Sequence, residues 1–184
     1  MSKALIVYGT RYGATASTSE EIAEILRKEG IEVRVVNAKE EKVKDIADYD
    51  LVIVGSGIQI YRWTGEPENF LKKFQKELAT KRVALFVSSG AQAIIEHEGN
   101  PEEIGKGKKK YLEEKAAKYN LQPVALGLFG GVYDFSRWPW WAGKAKPMAK
   151  QQLESAGFRG TNGVYDTRDW NKIRNWAKEL ATRI

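Results

Sequence analysis

The chain has 184 residues, 42% hydrophobic and 29% charged, with a net charge of +6 and a pI near 9.3, enough for one sizeable core and short for two. It has no cysteine and one histidine, His97, which excludes disulfides, thiolate-ligated zinc, iron–sulfur clusters, cysteine catalysis and any histidine metal cluster. The positive charge favours acidic partners or anionic lipid surfaces, but no nucleic-acid recognition motif accompanies it, so no nucleic-acid role is expected. No stretch reaches the roughly 20 apolar residues of a membrane span. The N-terminus runs straight into a strand-like segment without a basic region or cleavage site, and one cytoplasmic domain over 1–184 is expected.

In chain order, Ala4 to Tyr8 is a β-favouring apolar run that gives way to the glycines and hydroxyls of GTRYGATASTS. This predicts a buried strand, a loop, and a helix from Glu20 to Glu29 with Ile22, Ala23, Ile25 and Leu26 on one face and Gly30 as its stop. Such a loop can hold a phosphate, because backbone N–H groups and the positive end of the helix dipole converge there. Thr10, Thr15, Ser17 and Thr18 are the hydroxyl donors on offer, and Gly9 and Gly13 let the backbone curl around an anion. Ile31 to Val36 alternates apolar with polar residues, as an edge strand does. Asn37 to Asp50 reads as a charged connector with a short helix around Val43 to Ala47. Leu51 to Gly55 is a continuous apolar run, expected of a central parallel strand covered on both faces.

The loop SGIQIYRWTGEP follows, and Pro67 is expected to start a helix carrying Phe70, Leu71, Phe74 and Leu78 at helical spacing. Arg82 to Ser88 predicts a fourth strand running into the loop SSGAQAIIEHEGNP. Pro101 to Tyr119 reads as a helix with a lysine-rich outer face. Pro123 to Phe129 predicts a fifth strand ending in GGVYDFSRWPWW. A helix over Gly143 to Ser155, a loop GFRGTNGVYDT, and a last helix over Arg168 to Ile184 complete the chain. The fold class is therefore α/β: a doubly wound, five-stranded parallel sheet in strand order 2-1-3-4-5, with helices on both faces. In that order ligands sit at the carboxyl ends of strands 1 and 3.

Tyr61 and Trp63 present large rings at the tip of the loop after the third strand. They either cover a flat ligand ring or pack under the following helix. GSGIQI from Gly55 begins like a dinucleotide fingerprint, but Ile60 stands where the third glycine belongs, and it follows the third strand, not the first. GKGKKK from Gly105 lacks the spacing of a Walker loop and reads as a solvated helix face. His97, between Glu96 and Glu98, is either a surface residue or a proton donor. Trp138, Trp140 and Trp141 are open to three readings: core packing, a substrate wall, or a membrane-interface contact.

Taken together, YGTRYGATAST, GSGIQIYRW and SSGAQA resemble the three flavin-mononucleotide loops of the flavodoxin superfamily. TRYGAT, VGSGIQIYR and YDTRDWNKIRNWAKELA are most similar to the flavodoxin-domain group that includes menaquinone-dependent protoporphyrinogen oxidase. The resemblance implies a flavodoxin-like fold with FMN as cofactor. It places Thr10, Arg11, Tyr12, Gly13, Ala14 and Thr15, with Ser17 and Thr18, at the phosphate. Ser56, Gly57, Ile58, Gln59, Ile60, Tyr61, Arg62 and Trp63 would border the isoalloxazine ring. Ser88, Ser89, Gly90, Ala91 and Gln92 would form the other flavin loop, approached by Gly130, Gly131, Val132 and Tyr133. Relative to the family, Ala16 to Ser19 are additional, which leaves open which of Thr15, Ser17, Thr18 and Ser19 hold the phosphate. The implied function is electron transfer or oxidoreduction, with a redox partner protein or a quinone-type small molecule. The alternatives are a quinone-dependent protoporphyrinogen oxidase-type dehydrogenase and a flavodoxin-fold binding module without cofactor. Peripheral membrane contact through Trp138, Trp140 and Trp141 is compatible with each.

Overall fold

The computed structural model describes residues 1–184. Its elements are β1 (Lys3–Gly9), α1 (Ala14–Lys28), β2 (Glu32–Asn37), β3 (Leu51–Gln59), β4 (Arg62–Trp63), α2 (Gly65–Lys73), α3 (Gln75–Leu78), β5 (Arg82–Ser88) and α4 (Gly90–Glu98). There follow α5 (Pro101–Lys108), a π turn (Lys109–Glu113), α6 (Glu114–Lys118), β6 (Ala125–Phe129), β7 (Val132–Asp134), α7 (Ala145–Ser155), β8 (Val164–Asp166) and α8 (Trp170–Ala181). Strands β2-β1-β3-β5-β6 pair in parallel in that order. Counting parallel strands along the chain, this is the expected 2-1-3-4-5, with the short β4 added antiparallel to the end of β3.

The pleat divides the apolar runs between two cores. Leu5, Val7, Val52, Val54, Val83 and Leu85 face α2, α3 and the helix around Leu112. Ala4, Ile6, Leu51, Ile53, Ala84 and Phe86 face α1 and α8, against Ile22, Leu26, Ile173, Ala177 and Leu180. Phe86, Phe129 and Trp176 meet there with centroids 5.6–6.3 Å apart, contacts worth about 0.5–1.5 kcal/mol each beyond area burial. A third, smaller cluster of Phe135, Leu153 and Tyr165 holds α7 against the β7–β8 ribbon.

Several elements depart from expectation. No helix forms at Val43 to Ala47: Val43 and Ile46 are buried, Lys73 Nζ donates to the Val43 carbonyl, and Lys81 Nζ donates to those of Ala47 and Tyr49. Side-chain cations thus serve carbonyls that a helix would have served. The supposed loop from Ser88 is helical from Gly90 onward, and the fifth parallel strand begins at Ala125 instead of Pro123. The loop GFRGTNGVYDT contains β8, paired antiparallel with β7. Pro101 to Lys118 is one helical run interrupted by the π turn.

Candidate functional site

β1 ends at Gly9 and α1 begins at Ala14, six residues before the expected start at Glu20. Between them Gly13 takes φ 91°, a left-handed conformation that glycine adopts without steric cost, and donates its N–H to Thr10 Oγ1 at 3.0 Å. The Thr10 hydroxyl proton remains free to donate. The first intrahelical bond is Ser17 N–H to the Gly13 carbonyl, 3.1 Å, so the N–H groups of Ala14, Thr15 and Ala16 open outward at the positive end of the helix dipole.

This early start sorts the hydroxyls. Thr15 lines the cleft described below. Ser17 Oγ is occupied by the Gly13 and Ala14 carbonyls and by Arg168. Ser19 bonds back to the Thr15 carbonyl at 2.8 Å, and Thr18 is buried on the core face with no partner. The structure therefore brings Thr10 and Thr15 to the loop mouth and turns Ser17 and Thr18 away from it.

β3 runs past Gly55 to Gln59 and returns through Ile60 and Tyr61, at φ 47° and 60°, into β4. Two consecutive positive φ values make a type I′ hairpin, which favours Asn and Gly; a β-branched residue there is strained. Ser56 braces the hairpin from inside: Oγ accepts the Thr64 N–H at 2.9 Å, lies 3.1 Å from Thr64 Oγ1 and donates to the Gly57 carbonyl at 2.9 Å. Its side chain is thus a strut rather than a ring contact. Arg11 Nη1 donates to Gln59 Oε1 at 2.9 Å and joins the first loop to the second.

The two aromatics separate. Trp63 is only 7% exposed and belongs to the core; its indole N–H donates to the Tyr111 carbonyl at 2.8 Å, inside the π turn. Tyr61 is 71% exposed at the hairpin tip, with Lys110 Nζ 5.1 Å from its ring centroid. Of the two, packing holds for Trp63, which shares a core cluster with Phe70 and Leu71 of α2, and Tyr61 is the ring left exposed at the tip.

Beyond β5, Ser89 donates its N–H to the Phe129 carbonyl at 2.9 Å. A Cβ added to Gly131 would lie 2.8 Å from the Gly90 nitrogen, and one on Gly90 would fall 2.4 Å from the Tyr133 ring. The loops after β5 and β6 therefore touch backbone to backbone, with Tyr133 across them. Burial pushes the Tyr133 phenol up, with a smaller contribution from nearby Tyr61. Ala91 is exposed, whereas Gln92 is buried and bonds to Glu96. His97 is exposed in the last turn of α4.

Thr167 and Arg168 tie this region to the chain's last third, and sequence reasoning assigned them no role. Thr167 Oγ1 accepts the Gly131 N–H at 3.1 Å and donates to the Gly131 carbonyl at 2.9 Å. Arg168 Nη1 donates to the Ala14 carbonyl at 3.1 Å and to Ser17 Oγ, while Nε and Nη2 hold Asp166 at 2.8 and 2.6 Å. Burial pushes the Asp166 carboxyl up, but the bonds from Arg168 outweigh it and leave it lowered. Thr64, at the N-cap position of α2, sets its hydroxyl against Ser56 Oγ instead of capping the helix, and sequence reasoning assigned it no role.

The four loops enclose a cleft of about 60 Å³ lined by Thr10 and Thr15, Gly57 and Gln59, Ser88 and Gly90, and Gly131. That is far below the roughly 300–1,000 Å³ of a whole ligand site, and suits the anionic end of a ligand whose remainder lies outside. A wider depression of about 1040 Å³, which Ile60 and Arg62 also line, shares Thr10, Arg11, Gln59 and Thr64 with it. A Cβ on Gly57 would come within 3.2 Å of Thr15 Oγ1, and Ser88 Oγ is buried without a protein partner. Open N–H groups, unpartnered hydroxyls and side-chain-free backbone together fit a phosphate-bearing ligand.

Comparison with known proteins agrees with this geometry. The chain is 24% identical over 186 aligned positions to protoporphyrinogen IX dehydrogenase [quinone] of Escherichia coli K12, covering 97% of this chain and 94% of that one. A 56-residue stretch is 39% identical to a flavodoxin of Maridesulfovibrio salexigens, covering 30% of this chain and 38% of that one. Among solved structures, an archaeal flavodoxin superposes with TM-score 0.54 at 17% identity over 98% of this chain and 97% of that one. A Streptococcus pneumoniae TIGR4 flavodoxin gives 0.55 at 14% identity over the whole of both chains. At those identities the structural likeness is one of fold. The flavodoxin domain profile matches residues 5–148, most of the chain, and this protein belongs to the flavodoxin domain family.

Proposed function

We propose that this protein binds FMN non-covalently and serves in electron transfer or oxidoreduction. The observation that carries the reading is the convergence of four loops on one cleft at the carboxyl ends of β1, β3, β5 and β6, with open helix N–H groups at its floor. The N–H groups of Ala14, Thr15 and Ala16 and the hydroxyls of Thr10 and Thr15 would hold the phosphate. Arg11, tied to Gln59, adds a positive charge at its rim. The backbone of Gly57 to Arg62 and of Ser88 to Gly90 would border the ring, with Tyr61 at one edge. Bound FMN supplies reversible one- or two-electron transfer, which no side chain here can perform. The chain's own task is to bind and orient the cofactor and to limit water at it.

The purified protein should be yellow and release FMN on denaturation; a colourless protein that takes up no FMN would sink the reading. Replacing Thr10 and Thr15 together with Ala should weaken FMN binding by at least tenfold, since a hydrogen bond to a charged group is worth about 1.5–3 kcal/mol. Unchanged affinity by fluorescence titration would move the phosphate elsewhere.

A second reading, quinone-dependent dehydrogenation, is favoured by the end-to-end match to protoporphyrinogen IX dehydrogenase [quinone]. Steady-state oxidation of a reduced substrate with a quinone acceptor distinguishes it from one-electron carriage, which gives no such turnover.

A further inference from the structure

The three tryptophans after β7 do not share a fate. Trp138 packs on Phe135, with centroids 4.9 Å apart, and on Tyr133 at 6.4 Å. Trp140 and Trp141, in the 3₁₀ turn that follows, are 89% and 71% exposed, and Met148 on α7 is 65% exposed. Solvent exposure of two adjacent indoles is costly unless something covers them. The same stretch carries Lys144 and Lys146, neither of which has a carboxylate within 4.0 Å, whereas Arg137 and Lys150 are paired with Asp134 and Glu154. Glu154 is the one acid between Phe135 and Ser155.

We propose that Trp140, Trp141 and Met148, in a stretch that also carries Lys144 and Lys146, form a docking surface for anionic lipid bilayers. Tryptophan partitions to the headgroup level, and flanking lysines are drawn to a negative leaflet. The turn closes its own hydrogen bonds, Ala142 N–H to the Pro139 carbonyl at 3.0 Å and Gly143 N–H to that of Trp140 at 3.2 Å. Lowering it into an interface therefore strands few backbone donors. A second copy is disfavoured as the occupant, because a self-complementary contact sets unpaired lysines against one another on chains of charge +6.

The platform is packed into the fold. Trp138, Phe135 and Tyr133 form one aromatic cluster over Leu153 and Tyr165, and Tyr133 lies over Gly90 at the cleft. Docking would thus set the cleft close to the lipid surface, where a lipid-dissolved quinone-type acceptor is concentrated. This consequence rests on the flavin reading; the docking itself does not.

Flotation of the full chain with phosphatidylcholine vesicles, with and without phosphatidylglycerol, tests it, with FMN content measured in parallel. The protein should float with the anionic vesicles at low salt and not with the neutral ones. Trp140→Ala with Trp141→Ala should reduce the bound fraction about tenfold or more, and Lys144→Glu with Lys146→Glu should do the same and abolish the salt dependence. Unchanged circular dichroism and melting would show that both variants fold. Absence of flotation overturns the proposal, as do tryptophan variants that bind like the parent, or a tryptophan-dependent dimer in lipid-free sedimentation. FMN binding is read separately, so neither failure is mistaken for the other.

Discussion

Ile60 and Tyr61 are the strained residues of the site, since each holds a left-handed conformation that the hairpin imposes and its own side chain resists. Replacing them with the pair the turn prefers, Ile60→Asn with Tyr61→Gly, should raise stability by about 1 kcal/mol while weakening FMN binding, because the exposed ring is lost. Urea denaturation and fluorescence titration read the two effects; a variant that gains stability without losing affinity would remove Tyr61 from the site. At this scale the sequence was legible where chemistry is local. Thr10 and Thr15 stand out as hydroxyls among glycines after an apolar run, and both reach the cleft. Ser17 and Thr18 share that composition but not the position, because α1 starts at Ala14. Thr15, Thr18, Ser19 and Ile22 then form its buried stripe at three- and four-residue steps, small polar residues where a periodicity reading looks for apolar ones.

The helices are pinned to one another by charge as well as by packing. Glu68 on α2 receives Lys115 at 2.9 Å, Lys118 at 2.6 Å and the Tyr119 hydroxyl at 3.0 Å. Burial pushes its carboxyl up, but hydrogen bonds from Lys118, Lys115 and Tyr119 outweigh this and bring it down from 4.5 to about 2. A carboxyl depressed on folding stabilises above its unfolded pKa, and that stability is lost as pH falls through the folded value. The parent's advantage over Glu68→Gln should therefore be complete above pH 4.5 and shrink toward pH 2. Parallel denaturation curves at every pH would exclude the cluster as its source. Elements with long apolar runs, such as β5, were legible to the residue. β8 was not: three residues flanked by loops carry no periodicity, and the partner strand lies 30 residues upstream. The helix expected at Val43 to Ala47 failed because Lys73 and Lys81, from elsewhere in the chain, take its carbonyls.

At the scale of the molecule, alternating strand and helix signals were enough to place five parallel strands in order, since crossover handedness leaves few alternatives. They were not enough to show what closes the site. Thr167 and Arg168 lie in a stretch whose pattern was noticed, yet contacts to Gly131 and Ala14 have no local signature. Thr167→Val removes a buried donor and acceptor at once; the Gly131 carbonyl keeps the Thr167 N–H, but the Gly131 N–H loses its partner, at a cost of about 1–3 kcal/mol. Both the urea midpoint and FMN affinity should fall. A loss of stability with affinity intact would show that Gly131 needs no such support to meet the cofactor.

The grip of Arg168 on the carbonyl of Ala14 spans 154 residues. The first turn of α1 is therefore not a local unit: one of its braces is a guanidinium set between the β7–β8 ribbon and α8, which the first 30 residues cannot supply. A peptide cut out to carry the phosphate loop alone would keep its glycines and hydroxyls and lose that brace.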